Sequence, residues 1–354
     1  MDIRKTGAAQ QLPARTAEYN FNRGNFIQEK RGGFCQSGSN RNANKGKNMG
    51  HQIYAWTNLS LAMIIVGSAT VFGKVITCNF PVFLASGIRF AIAAALIVPI
   101  AARAEKNLFR LKRPEGIRVA VMAFSGQFVF TLLMLLGLRY TSAIEAGIIT
   151  STSPAMMTLI AWIMLGERPG GRQVLAVILV VLGILCITWA PGSPVAGPGA
   201  GRLAGNLMIL GAVAGEAVFL LMRRRISESV SDLGLTARLC LAGFFLFLPF
   251  SLYQAADFDF GAVPAGAWWS MVYFGAVFTV LAYLFWFAGV ARVSGAVAGA
   301  FTAVMPVTAV VLSCIFLGES FTRAHAGGMA LVLAAIVLMA SSSEPAAAAP
   351  VDAG

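Results

Sequence analysis

"SPAMMTLIAWIMLGERPGGR" occupies Ser153–Arg172, and "MPVTAVVLSCIFLGESFTRA" occupies Met305–Ala324. Each holds a proline, an apolar run and then Leu-Gly-Glu. Pro154 stands 152 residues before Pro306, and Glu167 stands the same 152 before Glu319. Sliding the chain on itself by 152 extends the match without a gap. Ser142, Ala146, Gly147, Thr150, Leu165 and Gly166 meet Ser294, Ala298, Gly299, Thr302, Leu317 and Gly318. Upstream, Asn58, Leu59 and Gly67 match Asn206, Leu207 and Gly215 at 148, and Arg89 matches Arg238 at 149. The paired stretches are therefore the clearest part of a duplicated half.

Only 12% of the 354 residues are charged and 57% are hydrophobic, with a mean hydropathy of +0.74. A soluble chain carries about 25% charged residues, so the composition is that of an integral membrane protein. The net charge of +12 does not point to nucleic acid, because the basic residues sit in a polar tail and in short gaps between apolar runs. A helix crosses the hydrocarbon core in about 20 apolar residues. Ten such spans are read at about 55–77, 82–102, 117–138, 142–165, 172–190, 203–222, 235–254, 267–289, 294–317 and 323–341. The fold class is all-α membrane, with five spans in each half. Five is odd, so the second half enters the membrane inverted. Inverted repeats enclosing a midplane site are a recurring architecture of secondary transporters.

With the N-terminus inside, the inner loops carry twelve Lys and Arg residues and the outer loops only three, Arg139, Arg202 and Arg323. The positive-inside rule then places both termini in the cytoplasm, and the location read is a bacterial inner membrane. Residues 1–50 are polar, basic and rich in Gly and Asn. They read as a disordered tail, or as an upstream extension if translation starts at Met49. The remaining divisions are a first repeat at 55–190, a Pro/Gly linker at 191–202, a second repeat at 203–341 and a disordered tail at 342–354.

Three groups of residues carry a family resemblance. They are "NLSLAMIIVGSATVFGKVI" (Asn58–Ile76), "FLASGIRFAIAAALI" (Phe83–Ile97) and the two blocks Gly137–Glu167 and Gly289–Glu319. Together they resemble the EamA family of the drug/metabolite transporter superfamily, although the aromatic residue usual in the middle of its first helix is missing here. The resemblance covers about residues 55–341. It implies ten helices, cytoplasmic termini, a central cavity and transport of small polar metabolites, often amino acids or related compounds. It does not name the substrate.

Charge inside a membrane is costly and marks cavities or partners. Glu216 lies deep in its span and reads as a substrate-amine or proton-binding group, or as half of a buried salt bridge. Glu145 lies near the outer mouth, as a site residue or otherwise as a solvated or helix-start acid. Arg89 and Arg238 occupy equivalent places. Either can hold a substrate carboxylate, with snorkelling as the competing account. Lys74, close to a span end, reads as a snorkelling residue. Tyr283, with Phe278 and Trp286, is a further cavity candidate. Glu167 and Glu319 read as helix-start acids ahead of the fifth and tenth spans, and Pro154 and Pro306 as kinks. The GxxxG of Gly295 and Gly299 reads as close helix packing, inside the monomer or across a homodimer.

Five separate cysteines and two histidines offer no metal-ligand spacing, so no metal or cofactor is expected. No GxxxxGK[ST], HExxH or GxSxG occurs, which argues against an ATPase and against a membrane-embedded enzyme. The expected function is export of small polar metabolites by alternating access, with the proton as a candidate coupling ion. The alternative is a non-transporting lipid- or sugar-handling protein of the same fold.

Overall fold

The computed structural model describes residues 37–105, 108, 110–189, 200–223, 225–226, 230–293 and 295–342. The N-terminal tail before residue 37, most of the linker and all but the first residue of the C-terminal tail lie outside these. Contacts divide the chain after Met49. Residues 37–49 are helical, and the unit beginning at Gly50 holds the membrane spans. Among the described residues every regular element is helical. Nine helices of the described residues are long and apolar enough to cross a membrane: α1 (Gln52–Asn79), α2 (Val82–Ala104), α3 (Arg113–Tyr140), α5 (Gly171–Thr188), α6 (Gly201–Arg223), α7 (Asp232–Ala255), α8 (Ala265–Val290), α9 (Val297–Leu317) and α10 (Arg323–Ser341). The tenth span, α4, is a pair of segments, Ala143–Thr150 and Ser153–Leu165, bent by 48°. The spans form two inverted five-helix repeats, α1–α5 and α6–α10.

The duplication shows in which helices meet. The second helices of the two repeats, α2 and α7, pack together extensively, and so do the fifth helices, α5 and α10. Equivalent helices pairing with each other is what a two-fold relation between halves produces. Apolar surface is no driving force between helices in lipid, so close contact relies on small residues. A Cβ on Gly243 of α7 would lie 2.8 Å from the Phe90 ring of α2. A Cβ on Gly328 of α10 would lie 2.3 Å from Ile187 of α5. Gly137 on α3 sits equally tightly against Ile209 of α6, and its repeat counterpart Gly289 on α8 against Leu59 of α1. Ile163, Ile315 and Phe316 face outward, as suits side chains that meet lipid tails.

The fourth helix of each repeat is interrupted at the same place. In α4 the break is Ser151–Thr152; in α9 the helix stops at Phe301 and resumes at Val304. Three hydroxyl residues explain the first. Thr150, Ser151 and Thr152 each bond back to a carbonyl three or four residues earlier, competing with the helical ladder. Pro154 then lacks an N–H and disfavours helix in the residue before it. The prolines therefore sit in the first turn of a restarted segment, and Pro154 stands beside the break that bends α4 by 48°. A second matched irregularity is a π-helical stretch in each third helix, Ala123–Val129 in α3 and Tyr273–Leu281 in α8.

Candidate functional site: a cavity between the repeats

A small cavity lies between the halves. Its wall is mostly apolar, with Phe130, Met134 and Leu135 from α3 and Phe274 and Phe278 from α8. Thr150 at the α4 break and Met305 just after the α9 interruption also line it. Discontinuous helices in matching positions are where transporters of this architecture place their sites, because the break frees backbone groups and lets side chains approach. Two side chains of opposite charge face the space: Arg89 from the first repeat and Glu216 from the second.

Arg89 is 4% exposed. Its Nε donates to Thr279 Oγ1 at 2.7 Å and its Nη1 to Thr131 Oγ1 at 3.1 Å. Its guanidinium carbon lies 4.7, 4.8 and 4.9 Å from the ring centroids of Phe90, Phe274 and Phe278. Rings and hydroxyls fix the plane of the group without neutralising it. No carboxylate of the described residues pairs with it. Glu216 is half-buried and receives a hydrogen bond from Ser153, just beyond the α4 break. It too has no basic partner among the described residues. The salt bridge offered as its alternative role is absent there.

The other candidates lie elsewhere. Arg238 does not share the cavity with Arg89. Its Nε donates to Leu108 O, and its Nη2 lies 3.6 Å from Glu105 in the α2–α3 connection. Equivalent position in the repeat fixes depth, but the long side chain turns to a loop carboxylate. Tyr283 is packed away from the cavity against Phe219 and Phe287, with Gln127 Nε2 donating to its hydroxyl at 3.3 Å. Lys74 does not snorkel; it donates to Leu138 O and Thr141 O, the free carbonyls at the end of α3. Glu319 does not start α10. It accepts from the N–H groups of Ala143 and Ile144 at 2.8 and 2.9 Å, satisfying the first turn of α4 across the repeats. Glu167 is exposed after Gly166, whose φ of 70° ends α4 in a left-handed cap. Of the small residues at the fourth helices, Gly147 is the close one, since a Cβ there would lie 2.3 Å from Ala309 of α9. Gly299 meets only ordinary contact.

Glu145 begins α4, and its N–H is capped by Ser142. It is neither solvated nor in the cavity. At 0% exposure its carboxylate meets Arg202 Nε at 3.0 Å, Asn206 Nδ2 at 2.9 Å and Thr141 Oγ1 at 3.0 Å, with His325 Nε2 3.8 Å away. This network ties the starts of α4, α6 and α10. Removing one member of a buried pair strands the other charge, at a cost of about 3–5 kcal/mol. Glu145→Ala is therefore expected to lower the melting temperature of the detergent-solubilised protein sharply. Arg223→Ala, which cuts the half-exposed pair with Asp232, is expected to cost under about 1 kcal/mol. Equal effects of the two changes would contradict the assignment.

One signal in the sequence escaped the repeat comparison. Val129-Phe130-Thr131-x-Leu133 and Val277-Phe278-Thr279-x-Leu281 stand 148 residues apart, the spacing of the Asn58/Asn206 match. Phe130 and Phe278 both line the cavity, and Thr131 and Thr279 both hold Arg89.

Among known proteins, the model of the EamA-like transporter family matches residues 55–189 and again 203–341. An uncharacterized transporter of Bacillus subtilis, YetK, is 39% identical over 287 residues, which cover 80% of this chain and 86% of that one. A probable terminal-alkyne amino-acid exporter of Streptantibioticus cattleyicolor is 25% identical over 221 residues, 62% of this chain and 72% of its own. A solved crystal structure superposes with a TM-score of 0.58 at 20% identity, over 81% of this chain and 97% of that one; at that identity it speaks for the fold alone.

Proposed function

Because the chain belongs to the EamA-like transporter family, we propose that it is a secondary active exporter of zwitterionic metabolites, amino acids or close relatives, working by alternating access. The observation that carries this reading is the pair of opposite charges, Arg89 and Glu216, lining one cavity with no protein counter-charge among the described residues. A lone buried charge is costly. A ligand carrying both a carboxylate and an ammonium relieves both costs at once. Arg89 presents a planar fork that matches a carboxylate, and Glu216 accepts from an ammonium. The apolar rings lining the same cavity suit an apolar side chain.

Arg89 belongs to the first repeat and Glu216 to the second, so the substrate bridges the halves. Its binding energy then differs between states that bring the two groups together and states that part them, which is what drives a conformational equilibrium. On the return stroke, a proton on Glu216 takes the place of the ammonium. The distribution of Lys and Arg between the connections supports cytoplasmic termini, and the bacterial relatives support an inner-membrane location. The relative named as an amino-acid exporter supports the substrate class.

Untargeted mass spectrometry of spent medium from overexpressing cells, set against vector controls, tests the reading. The expected result is one or a few amino-acid-like zwitterions accumulating outside while their intracellular pools fall. Accumulation of compounds lacking either charge, with zwitterion pools unmoved, overturns it.

A further inference from the structure

We propose that Thr131 and Thr279 are a matched pair of positioning residues, one from each inverted repeat, that set the carboxylate specificity of the site by holding the Arg89 fork. The assignment rests on the reading of Arg89 as the carboxylate-binding group and extends it to residues outside the charged pair.

Three observations carry it. The first is polarity. Thr279 Oγ1 donates its only proton to Phe274 O at 2.7 Å, five residues back, the spacing of a π-helical turn. What it shows Arg89 is a fixed lone pair, which suits a donor and repels an acceptor. The π stretch of α8 thus has a local use: the widened turn leaves the Phe274 carbonyl within reach of the hydroxyl. The second is the donor inventory. A guanidinium has five N–H groups. Thr279 takes the one on Nε and Thr131 one on Nη1, so three remain, all on the two terminal nitrogens. With rings near the guanidinium and the Nε edge occupied, a carboxylate must arrive in the plane at the terminal end. The third is symmetry. The two threonines are the same position of a repeated Val-Phe-Thr-x-Leu stretch, at 1% and 0% exposure. Their repeats are inverted, so they approach the arginine from opposite halves. The duplicate arginine, Arg238, has left the cavity for Glu105, and both threonines serve the one that stayed.

The bond from Arg89 to Thr279 crosses between the repeats, whereas the bond to Thr131 stays within the first. A rocking motion that separates the halves therefore releases the Nε edge and lets the fork turn. On this account the site recognises a carboxylate only while both halves hold the arginine.

The test uses the full-length protein in proteoliposomes and tritiated L-leucine, L-methionine or L-phenylalanine, whichever the wild type takes up fastest. Hydrogen bonds to charged groups are among the stronger ones. Thr279→Val, of the same shape without the hydroxyl, is expected to raise KM about tenfold while Vmax stays within about twofold. The preference for the amino acid over its methyl ester as competitor is expected to shrink by a similar factor. Thr279→Ser is expected to restore both values. Thr131→Val, which removes the longer bond, is expected to raise KM about threefold, and it carries the test if the Thr279→Val protein does not purify as a single species. An unchanged KM and ester preference in both valine variants, or a serine variant as poor as the valine one, overturns the assignment and leaves the zwitterion reading intact. A wild type that takes up none of the three amino acids overturns both.

Discussion

Arg89→Gln is expected to reduce transport of a carboxylate-bearing substrate by about a hundredfold or more while leaving the empty protein as stable as the wild type, or more stable. Truncating one partner of a buried, hydrogen-bonded charge pair typically costs 2–5 kcal/mol in binding, and about 1.4 kcal/mol is a factor of ten. In the empty protein the arithmetic runs the other way. Arg89 is desolvated by burial and meets two hydroxyls and three rings but no carboxylate of the described residues. Its charge is therefore uncompensated until a ligand arrives, and a neutral amide that still donates to one threonine removes that cost. Stability given up at a binding site in this way is the usual trade-off. Arg89→Lys is expected to be nearly as inactive, because an ammonium cannot present a planar fork to the carboxylate. Uptake in proteoliposomes and the melting temperature of the purified variant check the two halves of the prediction. A melting temperature that falls as far as that of Glu145→Ala would show that Arg89 is a structural charge.

Glu216→Gln is expected to lower uptake of the zwitterion about tenfold or more and to abolish its response to an imposed pH gradient. The carboxylate sits where α4 restarts, held by Ser153, and it is half-buried facing the cavity. An amide keeps the shape and accepts a hydrogen bond, but it neither carries a counter-charge for ammonium nor exchanges a proton. The variant is expected to lose the wild type's preference for the amino acid over its deaminated analogue. Full, pH-dependent uptake by Glu216→Gln removes this residue from the mechanism.

The fold was readable because membrane insertion leaves few options. Spans must be long and apolar, and an odd repeat of five forces inversion. Arg89 and Glu216 were readable for the same reason, as rare charges deep in apolar runs. The sequence assigns depth well and direction poorly. Arg238 matches Arg89 in depth, yet its side chain runs to Glu105. Glu145 does start a helix, but its partners Arg202, Asn206 and His325 come from two distant stretches that only packing brings to it. Glu319 caps a helix of the opposite repeat rather than the one that follows it, a pairing no local rule contains. Thr131 and Thr279 were within reach of the sequence: their five-residue stretches repeat at the offset of the first helices, and only their lack of charge hid them.

The most direct measurement of the central claim, that Arg89 and Glu216 hold the two ends of one zwitterion, is a competition series on the wild-type transporter. The transported amino acid is compared with its methyl ester, which lacks the carboxylate, and with its deaminated acid, which lacks the ammonium. Both analogues are predicted to compete at least about tenfold more weakly. The ester penalty is predicted to vanish in Arg89→Gln, and the deaminated-acid penalty in Glu216→Gln. Analogues that compete as well as the parent, or penalties that survive both substitutions, would contradict the account.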